Sequence, residues 1–436
     1  MLSSSLSAGN EFPLLTGAYL DTEPIRPVGV AFVSDGALVV AMNRGAGSGT
    51  ETGTIALVDP FSGAVGEVIW SGNPIVDFGG GSGTSSWAAV TANDLILGDL
   101  DGLSVEAERG LPTGSSGRAV AVCPGQVALL LDSGSTIVAR LEQRDGSEIL
   151  SSPRGDTAVN DVACDPVSER LFVTGYNQVS ETLQRPFIDG LSAAGASDWR
   201  AYQNGNPADT SDARGIALRR SDQGELWFAS QASGGVSAFR RDPLDPNSNA
   251  TLVSFDAYNQ TFNLGGQTIT FYGRFDPQTG ALIRGQFQLS RLSNNSGNSV
   301  RVSDLDIDGA GRVHVAGVSS ASMANRDGLT IQGIAVGAYS GADPSLLVAS
   351  DDLSSRIHWT MFVDEGGRGS VVAVVTSGDR YAFLVENTGG SLLTFNAAVE
   401  LDDLSAPPSG GTPYTWLGAW GNLERDAELF EDRFEF

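Results

Sequence analysis

SDLDIDGAGRVHVAG, residues 303–317, is the stretch that decides the fold. It reads as a strand over 304–308, a tight Gly-rich turn over 309–311, and a second strand over 312–316. Leu305 and Ile307 alternate with Asp304, Asp306 and Asp308, and Val313 and Val315 resume the same period of two after the turn. Its weight comes from repetition. An apolar–small–apolar strand recurs as GVAF (29–32), WAAV (87–90), AVAV (119–122), DVAC (161–164), GIAL (215–218), DLDI (304–307) and VVAV (371–374). Each is followed by a second strand, such as QVALLL, RLFVTG or RVHVAG. Third strands follow most of them, read at 54–59, 136–141, 235–240, 345–350 and 391–396.

Strand–turn–strand units that repeat without helices between them predict an all-β fold, a β-propeller of four-stranded blades. Counting frames gives seven blades. The interval 251–292 holds TLVSF, TITFYGRF and ALIRGQFQL, so eight blades is the alternative. An open sheet edge at the end of such an array needs covering. LLTGAYL (14–20) is the candidate closing strand, expected to pair with the final blade near 412–420. The propeller is expected to fill 1–420, leaving 421–436 as an acidic-aromatic tail.

Composition agrees with many turns: the 436 residues include 55 Gly. Acidic residues number 52 against 26 basic, a net charge of −26, and every basic residue is Arg. Without Lys there is no Schiff base and no P-loop lysine. Phosphate recognition needs clustered cations, so neither nucleic acid nor an anionic membrane is an expected partner. No apolar run approaches the 18 residues of a membrane-spanning helix. Cys123 and Cys164 follow equivalent frames in consecutive blades, where either a disulfide or two buried thiols would fit. MLSSSLSAGNEFPLL lacks the basic and apolar regions of a signal peptide, so the protein is either cytosolic or a processed form with an added Met.

The frames DLDIDGAGRVHVAG and DVACDPVSERLFVTG resemble the bacterial SBBP-type propeller repeats, whose blades run GIAVDxxGNVYVTG. The last residues, ELFEDRFEF, resemble the acidic-aromatic tail that ends many secreted proteins of gram-negative bacteria. Arg433 stands where that tail has Gly, and Phe436 is an added residue. These likenesses imply an extracellular or periplasmic setting. They imply no activity, because such repeats serve binding, surface and scaffold roles as well as enzymes.

Few residues suggest chemistry. In the third slot of the frames as read above, Ala recurs (31, 89, 121, 163, 217 and 373) and Asp306 is the exception. A carboxylate there needs a hydrogen bond, a counter-charge or a cation. Asp304, Asp306 and Asp308 share a face at period two, and DLDIDG matches the start of an EF-hand loop, which would make calcium the cofactor. The match then fails, because Val315 occupies loop position 12. A structural, hydrogen-bonded Asp306 and a turn-forming Asp308 are the competing readings. Asp99 and Asp101 read as a turn. Asp132, Gly134 and Thr136 resemble part of an Asp-box turn. His314 and His358, the only histidines, have no Ser or Cys at motif spacing, and a packed histidine is the simpler reading.

The expected function is a non-catalytic binding or assembly module. It would meet protein or carbohydrate through a propeller face and the insertions at 178–209, 251–292 and 317–341, or associate with its own copies. The alternative is a metal-dependent propeller lyase, lactonase or glycosidase with its site at the channel mouth near Asp306.

Overall fold

The computed structural model describes residues 14–20, 23–34, 36–80, 84–203, 211–233, 238–253, 267–291, 297–320, 328–331, 333–394 and 413–420. Its strands pair into seven four-stranded antiparallel sheets, besides two short two-stranded ladders. Blade 1 is Ile25–Phe32, Leu38–Arg44, Thr52–Val58 and Val65–Gly72. Blade 2 runs from Ile75–Gly80 to Ser104–Gly110, and blade 3 from Ser116–Cys123 to Glu148–Arg154. Blade 4 runs from Ala158–Asp165 to Ser197–Ala201, and blade 5 from Ala213–Arg220 to Leu282–Gln288. Blade 6 is Val300–Ile307, Val313–Ser319, Asp343–Ala349 and Arg356–Met361. Blade 7 is Arg368–Ser377, Arg380–Gly389, Tyr414–Trp420 and, as its outer strand, Leu14–Tyr19.

The closing strand is therefore the one expected from sequence. Thr16 lies opposite Ala419 and Ala18 opposite Leu417, and the Tyr19 hydroxyl accepts from the Leu392 amide at 2.9 Å. The seven-bladed count holds. The described residues of 251–292 supply the third and outer strands of blade 5, Thr268–Phe275 and Leu282–Gln288, rather than an eighth blade. The segment expected as that third strand, 235–240, instead ends in the 3-10 turn Ala238–Arg240. Likewise 391–396 is not the third strand of blade 7, since Tyr414–Trp420 pairs with Arg380–Gly389. Residues 421–436 lie outside the described residues.

Successive side chains point to opposite faces of a blade, and along the second strands, such as Leu38–Arg44 and Gln126–Asp132, both faces are buried. Apolar side chains from neighbouring blades form seven clusters, one at each junction. A disulfide joins Cys123 of blade 3 to Cys164 of blade 4, with Cα atoms 6.1 Å apart. Between blades 1 and 2, Asn43 donates to the Ile75 carbonyl and accepts from its amide, both at 2.8 Å.

All seven inner strands carry a β-bulge at the same height. The bulged residues are Val28, Val76, Arg118, Asn160, Ile216, Ser303 and Val372. A bulge adds one residue and resets the face that follows. In blades 5 and 7 the true frames are thus ALRR (217–220) and AVVT (373–376). In blade 2 the inner strand is Ile75–Gly80, and Trp87–Val90 belongs to the second strand. The third slot then holds Ala31, Gly79, Ala121, Ala163, Arg219, Asp306 and Val375. Asp306 remains its single carboxylate, now beside an arginine on the preceding blade.

Candidate functional site: the axial channel

An inner strand presents one edge of unpaired amides to the propeller axis. Those groups need acceptors, and the sequence supplies them periodically. The first slot after the bulge is Gly29, Asp77, Ala119, Asp161, Ala217, Asp304 and Ala373, so the even-numbered blades carry Asp and the odd ones Gly or Ala. Each Asp reaches the next blade. Asp77 Oδ2 accepts from the Val120 amide (2.8 Å), Asp161 Oδ2 from Leu218 (2.7 Å) and Asp304 Oδ2 from Val374 (3.0 Å). Asp306 Oδ2 accepts from the amide of Thr376 (2.7 Å) and from its hydroxyl (3.0 Å). Two bulged residues do the same with carbonyls: Asn160 donates to Gly215 and Ser303 to Val371.

Arg219 crosses between these carboxylates. Its Nη2 donates to Asp304 Oδ1 at 2.7 Å, and Nη1 lies 3.6 Å from Asp161 Oδ2. Its side chain is 34% exposed, so the guanidinium meets water in the lumen while the carboxylates of Asp304 and Asp306 are nearly closed off. These groups line a cavity of about 250 Å³ that also touches Arg118, Arg220 and Asn160.

One arginine does not balance four carboxylates. Burial pushes Asp77 up to about 6, opposed chiefly by the Val120 amide and more weakly by Arg219. Burial likewise raises Asp161 and Asp306 to about 7, with Arg219 the main opposing influence on each. It also raises Asp304, again against Arg219. For Arg219 burial disfavours the charge, yet Asp304 and Asp161 outweigh it and hold the guanidinium firmly protonated.

The three aspartates of the organising hairpin go separate ways. Asp304 and Asp306 bridge to blade 7. Asp308 turns onto its own hairpin, accepting from the amides of Ala310 (3.0 Å) and Arg312 (2.9 Å), from Arg312 Nε (2.5 Å) and from His314 Nε2 (3.1 Å). Burial works to raise Asp308, but the His314 and Arg312 bonds prevail and hold it below the usual carboxylate range. Among the described residues no group of three or more His, Cys, Asp or Glu side chains is arranged to hold a metal ion.

Asp99 caps a turn through the amides of Asp101 and Gly102, and Asp132 through that of Gly134. Sequence reading missed Arg219, Asp77 and Asp161 as channel residues. The usable signal was Asp at one slot in alternate blades, hidden until the bulges set the register.

No protein-family model matches the chain, and no curated protein matches it. Among solved structures, a chain from one titled "Crystal Structure of Mitotic Checkpoint Complex" is similar at 10% identity and a TM-score of 0.47. The match covers 88% of this chain and 94% of that chain.

Proposed function

We propose that this propeller is a non-catalytic binding module working outside the cytoplasm. It engages a protein or carbohydrate partner through one face. The observation that carries this reading is where the extra chain length lies. The connections between the second and third strands of blades 5, 6 and 7 span 234–267, 320–342 and 390–413, and in an up-and-down blade all such connections emerge on the same face. Among the described residues the turns on the opposite face are short, many of them closed by Asp side chains. The axial aspartates, meanwhile, are committed to backbone amides. The Cys123–Cys164 disulfide, the acidic surface and the likeness to SBBP-type repeats support the extracellular setting.

The test replaces 321–327 by a short Gly/Ser link in the full chain, keeping the buried Ile331 and Val336. Binding to bacterial surface fractions and to a glycan array is then measured alongside the unfolding midpoint. The expected result is binding by the parent and at least ten-fold weaker binding by an equally stable variant. Unchanged binding, or no binding by a parent that is monomeric by light scattering, overturns the reading.

A second reading is an acid–base enzyme acting in the channel, favoured by three carboxylates poised near neutrality around a cavity. It predicts turnover of a polysaccharide or lactone that falls at least a hundred-fold in Asp161→Asn and Asp306→Asn at unchanged fold. Retained turnover in both variants would eliminate it.

A further inference from the structure

The strand register sets Asp306, His314, Val348 and His358 in one row across blade 6. Across blade 7, Thr376, Tyr381 and Trp420 form a row, with Leu14 of the closing strand next in register. The two rows meet member by member. Asp306 accepts from Thr376. The His314 ring lies 4.5 Å from that of Tyr381, and the His358 ring 5.2 Å from that of Trp420. Tyr381 and Trp420 stack on each other at 5.2 Å. The chain has two histidines in 436 residues, and both stand in this seam. It is the seam against the blade that closes the ring.

We propose that the seam is an acid-operated latch. Protonation of His314 and His358 loosens blade 6 from the closing pair, Tyr414–Trp420 and Leu14–Tyr19, while the other blades stay folded. The proposal is independent of the partner suggested above.

The geometry gives the reason. His314 is fully buried, and its Nε2–H is directed at Asp308. Its Nδ1 has no hydrogen-bond partner among the described residues, so a proton added there has no acceptor. Of the charged groups nearby, Asp308 favours the added charge and Arg312, bound to the same carboxylate, opposes it. Blade 7 offers the uncharged Tyr381 phenol and, at its turn, the exposed Asp379, which is taken up with Arg312. Asp306 is the next member of the row. His358 is half-buried with its Nε2 shielded from water, and it faces Trp420. Arg356, two residues along its strand, lies over Trp359. Among the described residues, His314 opposes a proton on His358, being of like sign once both are protonated.

Burial holds both imidazoles below their ordinary range, His358 down to about 3. Each is neutral when the seam is closed and protonated when it opens below about pH 6.5. Two protons taken up on opening raise the open fraction about a hundred-fold per pH unit. If Asp306, raised to about 7 in the closed seam, parts as well, it releases one proton and leaves about ten-fold per unit.

Hydrogen exchange of the full chain, followed peptide by peptide from pH 7 to 4.5 and corrected for intrinsic rate, tests this. Protection in 14–20 and 413–420 is expected to fall ten- to a hundred-fold per unit below pH 6.5, with blade 3 peptides unchanged. The His314→Gln/His358→Gln variant is expected to lose that dependence. Closing-strand protection that tracks blade 3, or that falls equally in the double variant, overturns the latch. Should the double variant not fold, proton NMR of the parent decides. Histidine C2–H midpoints well below pH 6 support the proposal, and midpoints at 6.5 or above sink it.

Discussion

At the axis, single carboxylates act as inter-blade acceptors, and their loss should be felt in stability. Asp304→Ala removes the acceptor of the Val374 and Leu305 amides and a partner of Arg219. We expect a loss of about 2–3 kcal/mol by urea unfolding, the size of a hydrogen bond to a charged group left unmade. Asp306→Ala should cost about 1–3 kcal/mol, because Thr376 loses two bonds. Ala fills this slot in blades 1, 3 and 4, but in blade 6 the link to Thr376 of blade 7 makes the change to Ala a loss. Asp306→Asn keeps an acceptor and removes the charge. With the folded carboxyl raised to about 7 from the usual 3.8, the native state holds the extra proton, so its contribution falls as pH rises from about 4 to about 7. The Asn variant should lack that fall, and equal slopes for the two proteins would refute the assignment. Sequence made Asp306 visible because it broke a pattern. Arg219 stayed hidden because Ile216 is as apolar as a strand residue, so nothing in GIALRR marks the bulge.

Among the elements, the inner strand of blade 2 shows how packing can override a sequence signal. The sequence frame put the inner strand at 87–90, yet it is Ile75–Gly80, with Gly79 and Gly80 in the strand. A Cβ on Gly80 would sit 2.2 Å from the Ala31 Cβ, and one on Gly79 2.9 Å from the Val120 carbonyl, so only glycine fits between blades 1 and 3. Gly80→Ala is expected to cost about 1–3 kcal/mol through overpacking, read as a lower unfolding midpoint. The closing strand was legible, by contrast, because an array of hairpins must bury its last edge. Removing residues 1–19 would bare the Tyr414–Trp420 edge and strip out buried Ala18 and Tyr19. The truncated chain should self-associate in light scattering and unfold at least 10 °C lower, since a loss of several kcal/mol is large beside typical stabilities.

For the molecule as a whole, the seven-fold frame was readable from recurrence alone, while the polar links differ from junction to junction: Asn43 between blades 1 and 2, a disulfide between blades 3 and 4, and aspartates between blades 2 and 3, 4 and 5, and 6 and 7. The disulfide closes 41 residues of chain. Chain-entropy reasoning puts its worth at about 4 kcal/mol, so reduction should lower the urea midpoint of the whole ring; an unchanged midpoint would show that the bond is energetically idle. The register of the closing strand has a different consequence. Leu14 stands opposite Trp420, so the outer strand of blade 7 begins where its third strand ends, as in the other blades, where a short turn makes that join. The ring therefore has no obligatory first blade. A circular permutant that links 420 to 14 through a tight turn, with new termini opened between Leu20 and Ile25, would convert a closure held by hydrogen bonds into one held by peptide bonds. Such a chain should fold to the same ring.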